Sequence, residues 1–141
     1  LGLGTYTQKE MASLLGTTTS GTSGAQICNT LNSLLSKTSD TRRFQRVTIS
    51  TAALETSVRS SLRNDFPLTL NVKEMPNYTS GSGHFIAVKG YYFNTSTDFK
   101  TITICDPHPT YSGTYTYTLE EMETAVESSN GYYNRLDAST V

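Results

Sequence analysis

The sequence predicts an α+β domain, with helices first and antiparallel strands after them. Three observations lead there. Apolar residues recur at three- and four-residue spacing between Met11 and Leu62, they alternate singly after Pro67, and neither a repeat nor a linker interrupts the chain.

Taken in order, Thr7-Gln8-Lys9-Glu10 is a capping box. Thr7 bonds the Glu10 amide, Glu10 reaches back, and the first helix opens there. Met11, Leu14 and Leu15 give it an apolar face, and Gly16 ends it. Thr, Ser and Gly fill residues 17–24 as a loop, and Thr22 or Ser23 caps a second helix bearing Ile27, Leu31, Leu34 and Leu35. A third helix runs from Ser50 or Thr51 to Arg63, with Ala53, Leu54, Val58 and Leu62 inward. Leu68, Leu70 and Val72 then alternate as in a half-buried strand. Strands are also expected at His84 to Phe93, Lys100 to Cys105 and Tyr111 to Leu119. A second capping box, Thr118-Leu119-Glu120-Glu121, opens a short helix reaching Glu127. The predicted core comprises Leu14, Leu15, Ile27, Leu31, Leu54, Val58, Leu70, Ile86, Val88, Ile102 and Ile104.

Composition narrows the function classes. With 141 residues, the chain is expected to form a single domain, 1–141. Only 16% of residues are charged and the net charge is −1, so no basic footprint points to nucleic acid. No apolar run approaches the roughly 18 residues of a membrane span. Leu1 to Tyr6 lack the basic start and apolar middle of a signal peptide, so a processed chain or a start inside a longer protein is expected. Abundant Ser and Thr suit a secreted or cell-surface protein, and Asn77-Tyr78-Thr79 and Asn94-Thr95-Ser96 are glycosylation sequons. Cys28 and Cys105 are either one disulfide or two ordinary thiols, and spacing does not choose between them.

The strands flanking Asn94 to Asp98 carry the sharpest chemical signal. Folded on each other through that loop, residues whose numbers sum to about 190–192 face one another. His84 then falls opposite Asp106 to His108, and Ile86 opposite Ile104 to Asp106, so the Asp106 carboxylate reaches the His84 ring directly or on the diagonal. A carboxylate so placed orients a general base and stabilises its charged form. Gly83 permits close approach of a backbone or substrate, and Pro107 stops the strand just after Asp106. The competing reading is a surface ion pair worth about 0–1 kcal/mol. His108, between two prolines, reads as a loop residue or a substrate contact. A zinc site from His84, Cys105, Asp106 and His108 would require strand neighbours that point to opposite faces.

Residues 83–92, Gly-His-Phe-Ile-Ala-Val-Lys-Gly-Tyr-Tyr, followed by Ile102-Thr-Ile-Cys-Asp-Pro107, resemble the C39-like cysteine peptidases. Upstream, Tyr6-Thr7-Gln8, Leu14-Leu15-Gly16-Thr17-Thr18 and Ser20-Gly21-Thr22 resemble that family's Leu-Gly-Thr-Thr and Gly-Thr passage, so the similarity extends from Tyr6 to about Leu119. The resemblance implies a papain-like fold, N-terminal helices followed by a twisted antiparallel sheet. It implies peptide-bond hydrolysis by a Cys–His–Asp triad, with His84 as base and Asp106 as orienter, a peptide or protein substrate, and no cofactor or metal. A secreted or cell-surface setting of bacterial style goes with it.

The family's Cys segment lies upstream of the helix matching Thr7 to Leu15, as does its oxyanion Gln, which Gln8 does not match. Cys28 has the right chain order but falls in the second turn of its helix, where the free amides have faded, and it reads as a core-edge thiol. Cys105 faces away from Asp106. The nucleophile is therefore expected from an upstream peptide lost by truncation or processing. The alternatives are an inactive peptide- or cell-wall-binding module on the same fold, an unusual Cys28 nucleophile, or a plain structural domain.

Overall fold

The computed structural model describes residues 2–137. Four helices and six strands follow in the order α1 (Gln8–Leu15), α2 (Gly24–Leu35), β1 (Phe44–Thr48), α3 (Thr51–Arg63), β2 (Leu68–Met75), β3 (Tyr78–Asn94), β4 (Phe99–Asp106), β5 (Gly113–Thr118), α4 (Leu119–Glu127) and β6 (Tyr132–Leu136). Helix and antiparallel sheet together make this an α+β chain, as the sequence predicts.

The helix ends sit where side-chain chemistry puts them. Thr7 and Glu10 close the capping box of α1, and Gly16, at φ 65°, supplies the left-handed residue that ends it. Ser23, not Thr22, caps α2, because Gln26 returns the bond to the Ser23 amide at 2.7 Å. Thr118 and Glu121 repeat the device at α4.

All six strands pair antiparallel in one sheet, in the order β1-β6-β2-β3-β4-β5. Helices α3 and α4 lie on one face. There Leu54, Val58, Met122 and Val126 pack on Leu70, Val72, Ile86, Ile102, Ile104 and Tyr133 in the main core. Tyr133 also fastens α3 through Ser57 Oγ at 2.7 Å and the Ala53 carbonyl at 3.0 Å. Residues of alternate parity on β1 and β6 face the other side, where Phe44 and Leu136 meet Cys28 and Leu35 of α2.

Two expectations need correction. Leu14 is 45% exposed, and Leu15, Ile27 and Leu31 are only half-buried. Helix α1 packs against α2 and buries none of its own residues, and α2 buries Gly24, Cys28, Leu34 and Leu35, so its stripe lies to one side of the expected one. Strands β1 and β6 were not anticipated, since five-residue segments reading Phe-Gln-Arg-Val-Thr and Tyr-Tyr-Asn-Arg-Leu lack a clean period of two.

Candidate functional site

Strand β3 departs twice from regular pairing, and both departures shape the site. Between Glu74↔Thr79 and Val72↔His84, β2 advances by one intervening residue, Lys73, while β3 uses four, Ser80 to Gly83. Ser80 Oγ donates to the Gly83 carbonyl at 3.1 Å and closes this excursion. Gly83 has φ +93°, and a Cβ there would stand 3.3 Å from Asn71 Oδ1 and Ser129 Oγ, so this position favours glycine. Further along, Val88 faces Ile104 while Gly90 faces Thr103, which leaves Lys89 as one extra residue, a β-bulge. Continuing the Tyr91↔Ile102 register without that residue would turn His84 towards the face of Cys105 and Pro107. With it, His84, Ile86, Val88, Ile104 and Asp106 share the inner face.

His84 Nε2 lies 2.7 Å from Asp106 Oδ1. The ring reaches the carboxylate on the diagonal, because the register runs through Ala87↔Cys105. Asp106 is 2% exposed, and three donors satisfy it. Tyr78 Oη donates to Oδ2 at 2.6 Å, His84 Nε2 to Oδ1, and the His108 amide to Oδ1 at 2.8 Å, which closes an Asx turn over Pro107. Burial alone would push the Asp106 carboxyl up. The bonds from Tyr78, His84 and the His108 amide outweigh it and hold the group below its ordinary value.

An ionised carboxylate only accepts, so the His84 nitrogen that faces it, Nε2, carries a proton, and in the neutral ring Nδ1 is then the lone pair. That nitrogen makes no hydrogen bond among the described residues. A partly exposed imidazole held this way can take a proton from an acidic group placed beside Nδ1 and return it to a leaving group.

His108 is turned into its own loop, its Nδ1 accepting from the Thr110 and Tyr111 amides at 3.1 and 3.2 Å. Its ring stands edge-on to His84, with centroids 5.4 Å apart. Beside His84 opens a cleft of about 780 Å³. One wall is Thr18 and Ser20 to Ser23 with Gln26. The other holds Asn71, Ser82 to Phe85, Pro107, Ser129 and Asn130. Hydroxyls and amides line it, with His84 its one titratable lining residue among those described.

Neither cysteine lines this cleft. Both are free thiols, Cys28 buried and Cys105 exposed. Cys28 Sγ donates to Asn134 Oδ1 at 3.2 Å, across the sheet from the row carrying His84, and burial pushes its thiol up. Cys105 points outward while its neighbour Asp106 points in.

Tyr78 was missed by sequence reasoning, which saw it only as the middle of a sequon. The available signal was Ser80-Gly81-Ser82-Gly83, which breaks strand alternation between two ring-bearing residues.

Fold and site together define an α+β chain with a carboxylate-held imidazole lining a cleft of about 780 Å³. Residues 3–140 match the model of the Peptidase_C39 like family, and the chain belongs to that family. No curated protein and no solved structure matches it.

Proposed function

We propose that this is a cysteine peptidase domain of papain-like architecture, acting at a secreted or cell-surface location, with His84 as general base and Asp106 as its orienter. The observation that carries this reading is the His84–Asp106 hydrogen bond at 2.7 Å, which leaves Nδ1 as the free base beside the cleft. The nucleophile is a thiol from a segment other than these 141 residues, since Cys28 is tied to Asn134 and Cys105 faces outward. Its proton passes to His84 Nδ1 and the thiolate attacks the peptide carbonyl. The protonated ring then gives the proton to the departing amine, and water releases the acyl group. Asp106 stays ionised throughout and stabilises the imidazolium.

The second reading is a peptide-binding module without hydrolysis, favoured by a well-formed cleft that lacks a thiol in its lining. The experiment is to express the natural full-length polypeptide and assay it against a quenched-fluorophore peptide library. Hydrolysis that iodoacetamide blocks and folded His84→Ala abolishes supports the peptidase. Binding without hydrolysis, weakened in His84→Ala, supports the module. Turnover unaffected by His84→Ala, or a thiol probe attached at Cys28, overturns the assignment.

A further inference from the structure

We infer that Tyr78 is the positioning residue of this site: its phenol fixes one oxygen of Asp106 so that the other stays aimed at the His84 ring. The inference rests on the proposed role of His84.

Tyr78 and His84 lie six residues apart in one strand. In a regular strand, with a rise of about 3.3 Å per residue, they would be roughly 20 Å apart. Here their ring centroids are 6.2 Å apart and both bond the same carboxylate. The Ser80 to Gly83 excursion accounts for this, since β3 loops out for four residues against one on β2 and rejoins it with the register shifted. The interruption is built in, closed by Ser80 Oγ on the Gly83 carbonyl and turned at a glycine whose positive φ other residues would adopt only with strain. A surface loop or water could satisfy one oxygen. Only a fixed donor sets the plane of both.

The phenol is itself held. Tyr111 stacks on it at 4.8 Å with an interplanar angle of 2°, and the His108 ring lies 4.6 Å away. Burial, the hydrogen bond to Asp106 and the Asp106 charge push the Tyr78 hydroxyl well up, so it keeps its proton and donates it to that carboxylate. Asp106 then cannot swing. Oδ2 belongs to Tyr78, and Oδ1 takes the His108 amide and His84 Nε2. The carboxylate plane follows from Tyr78 and the turn, and the ring tautomer follows from the plane.

The test is Tyr78→Phe, which keeps the ring and its stacking and deletes one hydroxyl. Nitrogen-15 NMR of the His84 ring reads the tautomer without any need for a nucleophile. The wild-type protein is expected to show Nε2–H alone, and the variant a growing Nδ1–H population, with the Asp106 carboxyl titrating at higher pH. In the full-length enzyme, kcat is expected to fall on the order of tenfold with KM nearly unchanged. Should Tyr78→Phe fail to fold, 3-fluorotyrosine at position 78, a stronger donor, must move the Asp106 titration the opposite way. If the tautomer and the Asp106 titration stay fixed in the folded variants, Tyr78 is merely structural and the inference fails. A tautomer shift without any His84-dependent hydrolysis would leave Tyr78 in place and remove the peptidase reading instead.

Discussion

His84 and Asp106 face the same side of the sheet because Lys89, five residues beyond His84, has no partner on β4. The residue that makes the pairing works entirely through the backbone, as one extra peptide unit that reverses the parity of the strand. Its side chain is exposed.

Side chain and residue therefore separate cleanly at position 89. Lys89→Ala should change stability by no more than about 0.5 kcal/mol, as exposed substitutions do. Deleting Lys89 forces either His84, Ile86 and Val88 or Tyr91 and Phe93 to the wrong face, and should cost more than about 4 kcal/mol. Urea unfolding of the two variants measures the contrast. Equal midpoints would contradict the role given to the bulge.

Asp106→Ala strands the Tyr78 hydroxyl and the His108 amide beside a small cavity, at roughly 1–3 kcal/mol for each unpaired donor. Asp106→Asn keeps the volume and one carbonyl acceptor, so it should lose less stability. It should nonetheless disturb the His84 tautomer, because an amide nitrogen placed against the ring donates where the carboxylate accepts. Denaturation and histidine NMR on the same pair of variants separate packing from orientation. An unperturbed ring in Asp106→Asn would show that the carboxylate does not set it.

Acid should weaken the fold through this same group. The folded value of Asp106 is depressed, so its contribution is fully present above the unfolded carboxylate range, near about 3.9, and is lost as pH falls through the folded value. Asp40, held at about 2 chiefly by the Arg42 side chain, titrates in the same sense. Urea midpoints should therefore be flat above about pH 5 and decline towards pH 2. The decline should be shallower in Asp106→Asn, and identical slopes would remove Asp106 from the account.

The two thiols should react very differently. Cys105 is exposed and should be modified quickly by a disulfide reagent such as DTNB in the folded protein. Cys28, buried and bonded to Asn134, should react only on unfolding. Mass spectrometry after timed labelling gives the count at each position. Rapid modification of Cys28 under native conditions would reopen it as a nucleophile.

Much of this was legible in the sequence, and the parts that were not share a cause. Capping boxes are local, so Thr7 and Thr118 could be placed without knowing the fold, as could the third helix, while the second cap was narrowed only to Thr22 or Ser23. The His84–Asp106 contact was legible because the expected pairing about residue 96 coincides with the Val88↔Ile104 register beyond the bulge, although the pairing beside the loop, Asn94↔Phe99, runs one residue off it. The β1–β6 pair was not, since Phe44 and Leu136 find each other across most of the chain and neither five-residue segment advertises itself. The bulge at Lys89 and the excursion before Gly83 were invisible to a uniform count along the strand, and with them went Tyr78. Leu14 misled because helical spacing reveals a stripe but not whether anything covers it.

The strand order also carries a consequence for how the polypeptide is made. Strand β6 sits between β1 and β2, yet it is the last element of the described residues. During synthesis, the β2–β5 meander with α3 and α4 can collapse while β1 waits without a strand partner, tied only to α2 through Asn32 and the Phe44 backbone. That strand is captured only when Tyr132–Leu136 clears the ribosome, so α2 docks late and closing one wall of the cleft is among the last folding events. A nascent chain arrested before Tyr132 should hold His84 and Asp106 in a formed hairpin while the opposite wall is still open to proteolysis.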